Sequence, residues 1–219
     1  IRDSFVSRGS EMCIRDSLRA DGDNFSSGGN IAGFLEETPE DLSMLAQNVM
    51  TPEKIKKPVV AAISGYCFGV GFEFCLACDF RIVTKDSQLS LPEMKIGMIP
   101  GSGGSARLAK MIGISRTKNI IMRGKRLSGE EAYGLGIACE LVDKVDLENM
   151  TQKLVKELIS VSPLAQRTIK SVLNATQNAT LHTSIDLEGE AYGRLRSSND
   201  FKEGVKSFSE KRPPSYKGN

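Results

Sequence analysis

Two apolar stretches stand out against a chain that is otherwise mixed. Val59-Val60-Ala61-Ala62-Ile63 is unbroken, rich in β-branched residues and of strand length, which predicts a strand buried on both faces. It runs into Gly65-Tyr66-Cys67-Phe68-Gly69-Val70-Gly71, a glycine-rich turn, and then into Phe72 to Cys78, a helix-compatible segment apolar nearly all round. Phe80 to Thr84 predicts a second strand, Lys85 to Ser87 a turn, and Leu89 to Leu91 a short strand ahead of Pro92 and Glu93. Two strands bracketing one helix predict a sheet covered by helices.

Elsewhere the period is helical. Leu42, Leu45, Ala46, Val49 and Met50 share a face behind Thr38 as N-cap and Pro39 at the first helical position, and this helix should stop before Lys56-Lys57-Pro58. Gly101-Ser102-Gly103-Gly104 opens a helix reaching Met111, and Ser128 to Glu131 is a capping box. Leu147 to Ser160, a helix starting at Ser162-Pro163, Leu181 to about Arg196, and Asp200 to Ser209 complete a helical C-terminal region. The reading is therefore an α/β core over residues 18–145 and a helical layer over 146–219.

Leu18 to Asp21 reads as the end of a strand. Before it, Ile-Arg-Asp-Ser occurs at Ile1 to Ser4 and again at Ile14 to Ser17, without helical or strand periodicity. Residues 1–17 are read as a non-native or disordered segment.

Composition narrows the function classes. Of 219 residues, 40% are hydrophobic and 26% charged with a net charge of +2, which argues against disorder and against a basic nucleic-acid-binding field. The five cysteines (Cys13, Cys67, Cys75, Cys78, Cys139) lack the second pair or histidines a metal site needs, so no metal is expected and they read as reduced core thiols. The apolar stretches are far shorter than the ~20 residues a bilayer demands, and a cytoplasmic protein is expected.

Candidate chemistry lies at the turns. Gly28-Gly29 and Gly69-Val70-Gly71 each precede an element start, where free backbone N–H groups can hold an oxyanion, and neither has P-loop or dinucleotide-binding spacing. Glu73 falls four residues after Gly69 in an apolar helix, where a carboxylate is costly unless it is bonded, paired or put to work; a salt bridge to Arg81 or Lys95 is the structural alternative. Glu93 joins Glu73 if the chain returns to the same end of the sheet. His182, the sole histidine, reads as cap or surface, and Met94, Met98 and Phe68 as core or pocket lining.

The stretch Lys57-Pro58-Val59-Val60-Ala61-Ala62-Ile63-Ser64-Gly65-Tyr66, then Gly69-Val70-Gly71-Phe72-Glu73 and Cys78-Asp79-Phe80-Arg81-Ile82, resembles the signature of the crotonase (enoyl-CoA hydratase/isomerase) family. Pro92-Glu93, Gly97, Pro100-Gly101 and Gly103-Gly104 continue it, and the similarity runs from Leu18 to Gly218. The resemblance implies an α/β spiral core of repeated strand-strand-helix units with a C-terminal helical layer. It implies an oxyanion hole from the amides of Gly29 and Val70, Glu73 and Glu93 as catalytic acids, and substrate contacts at Ser27, Gly28, Asn30, Ile31, Phe68, Gly69, Pro92 and Gly101.

The implied activity is hydration of a 2-enoyl-CoA thioester, with coenzyme A part of the substrate and no separate cofactor. Isomerase and CoA-thioester hydrolase chemistry on the same fold stay open, as do an inactive fragment and an RNA-binding relative. The resemblance further implies homotrimers or homohexamers, without nucleic acid or membrane as partner. It begins only at Leu18, so the first strands of the core are expected to be missing. Val70 stands where the family usually has glycine, which bears on acyl size.

Overall fold

The computed structural model describes residues 16–219 and, ahead of them, the backbone of residues 5–7. In chain order the elements are β1 (Phe5–Ser7), β2 (Asp16–Ala20), α1 (Pro39–Val49), α2 (Thr51–Lys54), β3 (Val59–Ile63), β4 (Tyr66–Phe68), α3 (Val70–Ala77), β5 (Phe80–Thr84) and β6 (Gln88–Ser90). They continue with α4 (Gly104–Ile112), α5 (Ile114–Ile121), β7 (Arg126–Ser128), α6 (Gly129–Gly134), β8 (Glu140–Val142), α7 (Leu147–Ile159), α8 (Pro163–Thr176), α9 (Leu181–Leu195) and α10 (Asn199–Ser209). The fold is mixed α/β, with a mainly parallel sheet and a C-terminal run of helices.

A five-stranded sheet has the order β1-β2-β3-β5-β8, antiparallel between β1 and β2 and parallel from β2 onward. The continuous apolar text of β3 has a direct cause: all five of its residues are buried. Val59, Ala61 and Ile63 enter the main core with Phe72, Cys75 and Leu76 of α3, while Val60 joins Ile82 and Val142 in a second cluster covered by Leu147, Met150, Leu154 and Leu158. The strand is thus sandwiched between α3 on one face and α7 on the other.

A second sheet, β4-β6-β7, grows out of the glycine-rich segment that the sequence reading took wholly as a turn. Tyr66–Phe68 pairs in parallel with Gln88–Ser90, and β6 pairs antiparallel with β7. Three-residue strands carry too little alternation to announce themselves, and the same holds for β7 and β8. The helix expected from Thr38 is split at Met50 into α1 and α2, with Pro52 near the start of the second piece. The Thr38 cap and the Ser128–Glu131 capping box are both formed.

Within residues 1–17, to which the sequence reading assigned no element, Phe5–Ser7 and Asp16–Ala20 run as paired strands; residues 1–4 and 8–15 lie outside the described residues. Cys67, Cys75 and Cys78 are buried thiols as expected, whereas Cys139 is exposed, and Cys13 lies outside the described residues. Met94 and Met98, expected in core or pocket, are 42% and 54% exposed, because the segment after Glu93 runs along the surface. Among the described residues no helix is long and apolar enough to cross a membrane.

Candidate active site

The two glycine turns lie side by side because their backbones pair. Ser26 N–H donates to Tyr66 O at 2.8 Å and Phe68 N–H donates to Ser26 O at 3.0 Å, so the chain through Ser26 runs parallel to β4. Past that pairing both chains turn through glycine: Gly28 at φ 104° and Gly69 at φ 53°, backbone that L side chains rarely adopt. The turns are close enough that a Cβ on Gly69 would lie 3.8 Å from Gly28 Cα, and one on Gly28 would lie 3.5 Å from Phe68 O.

This places the amides of Gly29 and Val70 together. Val70 opens α3, so its N–H has no acceptor within the helix. Neither it nor the Gly29 N–H donates to a protein acceptor among the described residues. Ser26 braces the arrangement: its Oγ accepts from Gly28 N–H at 3.2 Å and packs on Gly71, where a Cβ would collide with it.

Gly29 and Val70 both line a cavity of about 820 Å³ whose wall also includes Ser27, Gly28, Asn30, Phe34, Leu45 and Phe74. Five of the twelve residues expected at the site are therefore together: Ser27, Gly28, Gly29, Asn30 and Val70 line one space. Ile31 is 57% exposed and outside it, and Gly101 is exposed with open space where a Cβ would sit. Phe68 stacks on Tyr66 with ring centroids 5.0 Å apart and lies under the Arg126 guanidinium, which sits 5.0 Å from its centroid.

The two acids lie next to the Gly69-Val70 turn, Glu73 within the helix that it opens and Glu93 against Gly69. Glu73 is 2% exposed, and its N–H donates to Gly69 O at 3.0 Å, which puts it one helical turn beyond the free amide. Neither cation weighed as its partner is there: Arg81 is spent on the carbonyls of Cys75, Cys78 and Ile137, and Lys95 lies against Gly124. Glu73 Oε1 instead accepts from Ser102 N–H at 2.8 Å and Gly104 N–H at 2.9 Å, donors at the entrance of α4. Two backbone donors and a helix N-terminus satisfy a buried carboxylate without a counter-ion.

Glu93 follows Pro92 in a single 3-10 turn over Glu93–Ile96. Its Oε1 lies 3.2 Å from where a Cβ on Gly69 would sit, and its Oε2 is buried without a hydrogen-bond partner among the described residues. Burial pushes its carboxyl above the ordinary glutamate range, and the charge of Glu73 pushes the same way. The sequence reading singled out both acids but gave no sign of the Ser102 and Gly104 amides that hold one of them. A backbone donor reaching across 29 and 31 positions leaves no side-chain signature.

A pair of unused amides near two acids, one buried and anchored and the other half-buried with an unpartnered oxygen, has the chemistry to hold a carbonyl oxygen as its charge changes and to move a proton nearby. The profile of the enoyl-CoA hydratase/isomerase family matches residues 18–219, and the chain belongs to that family, within the crotonase superfamily. It is 34% identical over 206 residues to an enoyl-CoA isomerase/hydratase of Mycosarcoma maydis, covering 92% of this chain and 75% of that one. It is 35% identical over 175 residues to a carnitinyl-CoA dehydratase of Salmonella agona, covering 75% and 64%. The fold superposes on the enoyl-CoA hydratase crystal structure from Bacillus anthracis with a TM-score of 0.89 at 33% identity, over 94% of this chain and 81% of the other.

Proposed function

We propose that the protein is an acyl-CoA-processing enzyme that adds water across the 2,3 double bond of a 2-enoyl-CoA thioester. The observation that supports this is the nearness of the acids to the glycine turns: Glu93 Oε1 and Gly28 Cα both lie within 4 Å of where a Cβ on Gly69 would sit, Glu73 acts on Glu93 by its charge, and Gly29 and Val70, their amides unspent, line the adjoining cavity. The thioester oxygen accepts from Gly29 N–H and Val70 N–H, and as negative charge builds there each donor contributes a few kcal/mol of transition-state stabilisation.

The carboxylates then divide the work by environment. Glu73, with Oε1 fixed by two amides, keeps its other oxygen to accept a proton from water as the water oxygen bonds to C3. Glu93, biased by burial toward the protonated form, delivers a proton to C2. One proton enters and one leaves the protein, so water is added with the net charge of the carboxyl pair unchanged, and exchange with solvent moves the proton back from Glu73 to Glu93.

Product mass tests the reaction type. A 2-enoyl-CoA incubated with the protein should gain one water. Unchanged mass with a shifted double bond would replace hydration by isomerisation, and free coenzyme A would replace it by hydrolysis.

A further inference from the structure

We propose that Arg107 is a positioning residue for Glu73, locked in place by Glu53, and that this pair sets the orientation of the peptide groups gripping the Glu73 carboxylate. The inference rests on the reading of Glu73 as a reacting group.

The turn that holds Glu73 is Ser102-Gly103-Gly104. Gly103 adopts φ 92°, and the backbone packs so closely on the acid that a Cβ on Gly104 would lie 2.8 Å from Glu73 Cγ and 3.0 Å from its Oε1. Ser102 is used on both sides: its N–H donates to Glu73 Oε1 at 2.8 Å, and its carbonyl accepts from Arg107 Nη1 at 2.7 Å. The guanidinium also fills the space beside Gly103 that a Cβ there would need.

Arg107 is itself held. Its Nε and Nη2 form a bidentate pair with the Glu53 carboxylate at 2.5 and 3.1 Å, and its side chain is only 12% exposed. Glu53 belongs to the four-residue α2, which is pinned from the C-terminal layer: Asn174 Nδ2 donates to Glu53 O at 3.1 Å, and Lys170 Nζ to Pro52 O at 2.6 Å. The route runs from α8 through α2 and Arg107 to one peptide unit, and from there to the acid. Arginine suits it because one planar fork serves a carboxylate through two nitrogens and a carbonyl through the third; a lysine ammonium offers no such fixed geometry.

A purely structural Arg107 would lower stability and leave turnover per folded molecule unchanged. A positioning role predicts a specific kinetic pattern, because groups supporting a reacting side chain typically change rate by about 10–100-fold. In the full chain, Arg107→Lys should lower kcat for a 2-enoyl-CoA by about 10–100-fold with KM changed less than about twofold, and Glu53→Gln should move kcat in the same direction by about tenfold. Free guanidinium should restore part of the lost kcat to Arg107→Ala without altering the wild type.

Amide hydrogen exchange separates failure of this inference from failure of the hydration reading. The Ser102 and Gly104 amides should exchange faster in both Arg107→Lys and Glu53→Gln whatever reaction the protein catalyses. Wild-type kcat together with wild-type protection of those two amides in a folded Glu53→Gln or Arg107→Lys would overturn the proposal.

Discussion

Lys170 in α8 and Asp79 ahead of β5 meet at 2.6 Å, with the lysine side chain 7% and the aspartate 21% exposed. Every Lys170 donor is used, the other two going to Pro52 O and Lys57 O, while Asp79 Oδ2 also accepts from Val59 N–H at 2.7 Å. One ammonium thus fastens the helical layer to the segment entering β3. Removing one partner of such a pair strands the other charge, at a typical cost of about 3–5 kcal/mol. Lys170→Met should lower unfolding stability by that amount in urea titration, and a loss below about 1 kcal/mol would show the pair to be unimportant.

Gly71 is required by Ser26. In an open helix Gly→Ala would add about 1 kcal/mol, but here the new methyl would run into the Ser26 side chain that supports Gly28. Gly71→Ala should therefore cost about 1–3 kcal/mol and reduce turnover as well. Both effects should shrink in the Gly71→Ala, Ser26→Gly double variant, measured by thermal unfolding and initial rates.

Glu93 is kept at some expense to the fold. Its folded-state pKa lies above the ordinary value of 4.5, so folding favours its protonated form and native stability falls as pH rises through the shifted pKa. Glu93→Gln mimics the protonated acid at every pH. The variant should unfold at a higher temperature than wild type at neutral pH, with the difference vanishing as pH drops below 4.5. Equal unfolding temperatures throughout would mean that the carboxylate is not strained by burial.

Val70 lines the cavity beside its own amide. Val70→Gly keeps the N–H while removing a β-branched side chain, so kcat/KM for a longer or branched enoyl thioester should rise relative to a four-carbon one by about tenfold. An unchanged ratio would place the acyl group elsewhere.

How far the sequence could be read follows from the range of each interaction. Thr38 and Ser128 cap helices through partners three residues away, and β3 is apolar because both its faces are covered, so all three were visible in local text. Glu73 was conspicuous as a charge in an apolar helix, and Glu93 became so through the family resemblance. Hidden from view were features written in the backbone or at long range: β4 among glycines, the Ser102 and Gly104 amides on Glu73, and Lys170 reaching Asp79 across 91 positions. Any lysine on a helix reads as solvated until the fold closes over it.

On the proposed reading, both acids act on a substrate gripped by the Gly29 and Val70 amides. The most direct test is the rate at which Glu73→Gln and Glu93→Gln consume the conjugated absorbance of a 2-enoyl-CoA. Each variant should bind the thioester and fold as wild type does yet turn over about 10²–10⁴-fold more slowly, the usual contribution of a positioned acid or base. Wild-type turnover in either variant would contradict the account.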